Sequence, residues 1–141
     1  MAVSRSWSSD VPAARRRKLF TVAEANRALP LVRLIVRDIV STHAHAADLH
    51  ARLEVRLPAP QRGSIEEGLE REVDRLNDLV DELKAVGCEL KDYRSGLVDF
   101  VGQHAGREIC LCWQIGESHV GHWHELHTGF SDRQPVSKLR K

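Results

Sequence analysis

The spacing of apolar residues changes once along this chain, at Gly87. Before Gly87 they recur at intervals of three and four, which is the spacing of one face of an α-helix. After Gly87 they alternate with polar residues, as expected for half-buried β-strands. The sequence therefore predicts an α+β fold, in which an antiparallel, coiled-coil-like helical hairpin packs on a small antiparallel β-meander.

Local signals predict where the first helices begin and end. Thr21 can cap a helix and Glu24, three residues later, completes a capping box, so a helix is expected to begin here. Pro30 follows at a position where an interior proline removes a hydrogen bond and clashes with the preceding turn. We therefore expect a break or sharp kink near Leu29, with a short first helix and a long second helix that reaches about Leu57.

A segment rich in proline and glycine, residues 58–63, separates this long helix from the next one. The next helix is expected over residues 65–86, where apolar residues such as Leu76 and Leu83 form a heptad-like stripe. Gly87 suits the left-handed conformation that ends many helices. Two long helices of similar length with a short turn between them predict an antiparallel pair.

Strands are expected after Gly87 wherever apolar and polar residues alternate. The candidate strands cover residues 89–91, 97–101 and 109–115, with a fourth candidate at 119–126. Residues 103–107 lie between two alternating runs and predict a hairpin loop. The simplest arrangement is an antiparallel meander laid against the helices.

These patterns define the expected organisation of the chain. A disordered N-terminal tail is expected over residues 1–18 and a basic C-terminal tail over residues 137–141. Between them lies a single α+β domain, residues 19–136, because a chain of 141 residues suits one domain. Within that domain the helical hairpin covers residues 21–87 and the β-segment covers residues 88–127.

Composition narrows the class of protein. The chain has 21 Lys and Arg against 20 Asp and Glu, a net charge of +1, so no nucleic-acid partner is expected. No apolar run reaches the roughly 20 residues needed to span a bilayer, so no membrane partner is expected. Three cysteines without an export signal indicate a reducing compartment, which predicts a cytoplasmic location.

Alternation places reactive side chains on one face of the predicted sheet. In the strand at 109–115, Cys110 and Cys112 lie on the face opposite the apolar residues. Val98 and Phe100 match the apolar face in the preceding strand. Asp99 is therefore expected on the same side of the sheet as the two cysteines.

A histidine-rich stretch follows, with four of the eight histidines between residues 119 and 127. If Trp123 is the core residue of this strand, His122 and His124 turn to the opposite face. They then join a cluster that suits zinc or iron and that consists of Asp99, Cys110 and Cys112.

The opposite strand phase is the alternative. If Val120 and Leu126 are the core residues, His122 and His124 turn toward the core instead. The cysteines can also act as small hydrophobic residues, with histidines that hydrogen-bond locally. The spacing of the cysteines and histidines differs from the usual zinc-knuckle motif, so the sequence leaves these alternatives open.

Longer motifs resemble a known family. They are LFTVAEANRALPLVR, ELKAVGCELKDYRSGLVDF, GREICLCWQIGE and HWHELHTGF. Together they resemble a bacterial domain-of-unknown-function family, number 2203, over residues 19–135. The resemblance implies no activity. It implies a smaller site drawn from the family-like motifs, with the residues Asp99, Cys112, Glu117, His124 and Glu125.

Three classes of function follow from these residues. The preferred hypothesis is a small cytoplasmic protein that binds zinc or iron through ligands drawn from His124, Cys112, Glu117, Asp99, Glu125, His122 and Cys110. The first alternative is a non-enzymatic interaction module that forms a homodimer, or binds a partner, through the apolar stripe of the hairpin. The second is an enzyme that uses His124 as an acid–base group, although no nucleophile motif or cofactor fingerprint supports it.

Overall fold

A helical hairpin and a five-stranded antiparallel sheet make up residues 18–139, which are the residues that this computed structural model describes. The predicted α+β fold is confirmed. Two short 3₁₀ turns, Phe130–Asp132 and Val136–Lys138, flank the last strand. The helices and strands, in chain order, are α1 Val22–Arg52, α2 Ala59–Val86, β1 Cys88–Asp92, β2 Leu97–His104, β3 Arg107–Gln114, β4 His122–Glu125 and β5 Gln134–Pro135.

Helix α1 begins at the predicted capping box. The hydroxyl of Thr21 accepts from the Glu24 amide at 3.0 Å, and the Glu24 carboxylate accepts from the Thr21 amide at 2.9 Å. These hydrogen bonds satisfy two main-chain donors of the first turn, which have no partner inside the helix. They also hold the pKa of the Glu24 carboxyl below its usual value.

Helix α1 runs without interruption through Pro30, so the predicted break near Leu29 is wrong. Pro30 itself is exposed, whereas Leu29 and Val32 on either side of it are buried in the core. An interior proline costs about 3 kcal/mol. Burial of each aliphatic side chain contributes about 1.5–3 kcal/mol, so the packed face of the helix offsets that cost.

The turn between the helices is also placed differently from the prediction. Helix α1 ends at Arg52 rather than near Leu57, and α2 begins at Ala59 rather than at residue 65. Pro60 falls in the first turn of α2, where an N–H has no helical partner to lose. The segment expected to interrupt the helices therefore starts the second one.

The far end of α2 agrees with the prediction. Gly87 adopts a left-handed conformation with φ of 114°, and its amide donates to the Leu83 carbonyl at 3.3 Å. A side chain is strained in this region of φ, which is why glycine ends the helix here.

The sheet is a meander with the strand order β1-β2-β3-β4-β5. Ala105 and Gly106, with φ of 52° and 80°, form the tight turn between β2 and β3 at the predicted position. The fourth predicted strand is shorter than expected, and β5 was not predicted. At the edges, β1 carries an irregularity between Leu90 and Asp92, and β5 has only two residues and ends at Pro135.

One face of the sheet forms the core with the helices. Phe100, Leu111 and Trp123 lie opposite one another on β2, β3 and β4. They pack with buried residues of α1 such as Val36 and with Leu83 of α2. The other face of the sheet, which we call the outer face, carries Asp99, Cys110, Cys112, His122 and His124.

The described residues include only part of the two predicted tails. The N-terminal tail predicted over residues 1–18 lies outside the described residues, apart from Lys18. Leu139 falls within the C-terminal tail predicted over residues 137–141, yet it packs against the core. Within the described residues, no helix is both long and apolar enough to cross a membrane.

Candidate metal site

Asp99, Cys112 and His124 converge on the outer face of the sheet. They come from β2, β3 and β4, three neighbouring strands, and one ligand atom from each lies within 4.8 Å of the others. The exposed fractions of the three residues are 4%, 0% and 3%. A carboxylate, a thiol and an imidazole are thus held together away from solvent.

The strand register brings these side chains together. Asp99 on β2 lies opposite Cys112 on β3. His124 on β4 lies opposite Cys110, which is the next outer-face residue of β3 after Cys112. Because neighbouring strands lie about 4.8 Å apart, side chains on one face at such positions can touch. Trp123 occupies the core between His122 and His124, so β4 has the first of the two strand phases considered above.

The ring of His124 has a defined proton arrangement. Its Nδ1 lies 2.7 Å from the main-chain carbonyl of Glu125. A carbonyl only accepts, so Nδ1 carries a hydrogen and donates it. Nε2 then faces Asp99, at 3.2 Å from Oδ2 and 3.3 Å from Oδ1. Histidines that bind metals through one nitrogen usually donate the other N–H in this way.

The two cysteines of the outer face are neutral thiols in the absence of a metal. Burial, together with the nearby negative charge of Asp99, raises the pKa of the Cys112 thiol to about 12. Burial and Asp99 likewise raise the pKa of Cys110 to about 11. A bound cation reverses this preference, because a thiol that coordinates a metal loses its proton.

Glu117 and His122 belong to a second cluster beside the three converging residues. The Arg133 guanidinium donates through Nη2 to Glu117 Oε2 and to His122 Nδ1, both at 2.5 Å. Glu117 also accepts from the Gln114 amide at 2.9 Å. Glu117 and His122 were both predicted as candidate ligands. In the structure they contact Arg133 and do not join Asp99.

Arg133 is the residue that sequence reasoning missed. Its side chain is 9% exposed, it stacks on the ring of Phe130, and its charge lowers the pKa of Cys112. It lies between two short 3₁₀ turns, outside any periodic pattern. In the sequence, the one sign that Arg133 matters is its position three residues after the family-like motif that ends at Phe130.

Glu125 is also directed away from the site. It lies opposite Ile109, at the end of β4 and on the face of the sheet that packs on the helices. Its carboxylate pairs with Arg107. Its main-chain carbonyl, rather than its side chain, meets His124. Glu125 therefore orients the histidine without offering its own carboxylate.

A cleft of about 830 Å³ opens on the outer face next to this site. We call it the outer cleft. Asp99 and Cys110 line it from the sheet, and the C-terminal end of α2 lines it from the side.

Comparison with protein families gives a match that covers residues 18–136. The matching family is described as an uncharacterized conserved protein, DUF2203. The chain belongs to this family. Asp99, Cys112, His124 and Arg133 all fall within the DUF2203 region, so the site lies in the part of the chain that the family shares. Comparison with curated proteins and with solved structures found no match.

Proposed function

We propose that this member of DUF2203 binds one zinc ion through Asp99, Cys112 and His124. The observation that carries the proposal is the orientation of His124. Its Nδ1–H is committed to the Glu125 carbonyl, so in the neutral ring the lone pair of Nε2 faces the Asp99 carboxylate at 3.2 Å. Two acceptors at that distance repel each other unless a cation lies between them.

The donor set suits zinc. Zinc accepts cysteine sulfur at about 2.3 Å and histidine nitrogen or carboxylate oxygen at about 2.0–2.2 Å. Two such ligands on a tetrahedral ion lie roughly 3.4 Å apart, by the bond lengths just given. The separation of 3.2 Å between His124 Nε2 and Asp99 Oδ2 is close to that value. Iron is the alternative metal, and one thiolate with one imidazole favours zinc over magnesium or calcium.

A proton is the competing cation. A doubly protonated His124 beside an ionised Asp99 is a buried ion pair, and such pairs gain little stability after desolvation. In that case the three side chains are structural. Zinc binding and a structural ion pair give different results when metal is added, because only a metal site is stabilised by it.

Metal content is the direct test. The full chain is purified without a histidine tag, its metal is measured, and it is then stripped with a chelator and titrated with zinc. We expect one zinc per chain and a rise in melting temperature on the order of 10 °C at 100-fold saturation. A stripped chain that takes up no zinc and gains no stability refutes the proposal. If the purified chain contains iron and no zinc, the proposed metal is wrong but the proposed site stands.

Matched variants identify the ligands. Cys112→Ala and His124→Ala are expected to weaken zinc binding on the order of 100-fold or more, because each removes one of three ligands. Cys88→Ala is the control, since Cys88 is buried on the opposite side of the sheet. Equal affinity in Cys112→Ala and in the control contradicts the assignment.

A second proposal concerns self-association. Leu31 and Leu34, one turn apart on α1, are 53% and 49% exposed. A second copy of the chain would cover this apolar face by two-fold pairing, as in many homodimers. Sedimentation at micromolar concentration tests it: a dimer that Leu34→Gln dissociates is expected, and a monomeric wild-type chain rules it out.

A further inference from the structure

The outer cleft carries an excess of positive charge. Three lysines line it, Lys18 at the N-terminal side, Lys84 at the end of α2 and Lys91 on β1. Glu89 is the acidic side chain of the lining besides Asp99. Lys91 lies 3.2 Å from Glu89, so these two charges compensate each other. The ammonium groups of Lys18 and Lys84 then stand against the single carboxylate of Asp99, which leaves one positive charge in excess.

Metal binding would increase this excess, because the metal would neutralise the Asp99 carboxylate. A divalent ion held by the Asp99 carboxylate and the Cys112 thiolate is neutral overall, since two negative ligands cancel its charge. The outer cleft then has three lysines against Glu89 alone, a net charge of +2 by that count. A concave surface with charge of one sign concentrates small molecules of the opposite sign.

Asp99 connects the outer cleft to the three converging residues. It belongs to the group of Asp99, Cys112 and His124, and it also lines the cleft. The outer cleft therefore borders the site at Asp99. Three protein ligands also leave a four-coordinate zinc one position short, which is the arrangement that accepts an external ligand.

We propose that the outer cleft binds a small oxyanion, a carboxylate or a phosphate group, beside the metal. The proposal rests on the proposed function, because the charge count assumes a loaded site. Lys18 and Lys84 hold the anion by charge, and Glu89 opposes it. The chain would accordingly select anionic small molecules over neutral ones.

The test uses the full chain loaded with cobalt(II), whose visible spectrum reports changes among its ligands. Inorganic phosphate and acetate are titrated separately, so that the two oxyanion classes are distinguished. A spectral change that saturates at millimolar concentration with either anion supports the proposal. Cobalt that binds without any spectral response to either anion overturns it and leaves the proposed function standing. A chain that binds neither cobalt nor zinc overturns both.

Charge variants assign the binding to the outer cleft. Lys18→Gln combined with Lys84→Gln is expected to weaken anion binding about tenfold with cobalt affinity unchanged. Glu89→Gln is expected to strengthen it by two- to fivefold, roughly, because it removes the opposing charge. Lys138→Gln, an exposed lysine that does not line the cleft, is the control. Anion affinity that is equal in all four chains overturns the assignment.

Discussion

The side-chain amide of Asn26 binds both main-chain groups of Val120, which lies 94 residues further along the chain. Its oxygen accepts from the Val120 amide at 2.8 Å, and its nitrogen donates to the Val120 carbonyl at 3.2 Å. Val120 is fully buried. Helix α1 thereby holds the segment that enters β4, and with it the strand phase that turns His124 to the outer face.

Removal of this amide is expected to destabilise the chain and loosen the site. Asn26→Ala leaves both polar groups of Val120 without these partners, at about 1–3 kcal/mol for each buried group that stays unsatisfied. We expect a loss of about 2–4 kcal/mol in the free energy of unfolding, measured with urea, and weaker zinc binding. Asn77→Ala, on the exposed side of α2, serves as the control. Equal stability of the two variants contradicts the role of Asn26.

Asp99→Asn separates metal binding from stability. The metal-free variant is expected to be at least as stable as the wild type, because a buried charge is replaced by an amide that can donate to His124 Nε2. Zinc is expected to raise its melting temperature far less, since an amide is a poor zinc ligand. Thermal unfolding with and without zinc measures both effects. Asp78→Asn, an exposed change on α2, should respond like the wild type.

The three cysteines are expected to react slowly with alkylating agents in the folded, metal-free chain. Burial raises the pKa of Cys88 to about 12, as for Cys112, and that of Cys110 to about 11. At pH 8 about one thiol in 10³–10⁴ is then ionised, against roughly a quarter of ordinary thiols. Alkylation at least about 100-fold slower than in urea is expected, and it should accelerate about tenfold for each pH unit up to pH 10. A thiol that reacts at the unfolded rate contradicts its burial.

Two glycine substitutions are expected to act in opposite directions. A Cβ on Gly102 would lie 2.9 Å from the Phe20 main-chain oxygen and 3.1 Å from Leu111, so Gly102→Ala forces packed atoms apart. We expect it to cost about 1–3 kcal/mol. Gly63 lies inside α2 with open space around it, so Gly63→Ala should stabilise the chain by about 0.5–1 kcal/mol. Chemical denaturation of both variants decides the sign in each case.

Local patterns predicted the parts of the fold that depend on neighbouring residues. The capping box at Thr21, the left-handed end of α2 at Gly87 and the turn at Gly106 are local, and the structure has them at the predicted positions. The shared face of Asp99 and Cys112 follows from strand alternation alone. Such features are encoded within a few residues of where they appear.

The remaining features depend on residues distant in the chain. The phase of β4 relates to a hydrogen bond with Asn26, which no window around Trp123 contains. Glu117 was a candidate ligand from the sequence, but its carboxylate binds Arg133, which lies 16 residues further along the chain. Proline disfavours a helix interior, yet Pro30 is tolerated because the other side of α1 packs in the core. In each case tertiary contacts outweigh the local preference.

The two edges of the sheet have a consequence for how copies of this chain can meet. Open strand edges invite a second chain to add a strand, which leads to aggregation. Here β1 is interrupted near Lys91 and carries charged side chains, and β5 offers two residues, one of which, Pro135, has no N–H to donate. Neither edge is a good template for edge-to-edge pairing. Growth of the sheet into fibres is thus disfavoured, and the self-association proposed above would have to use the helices instead.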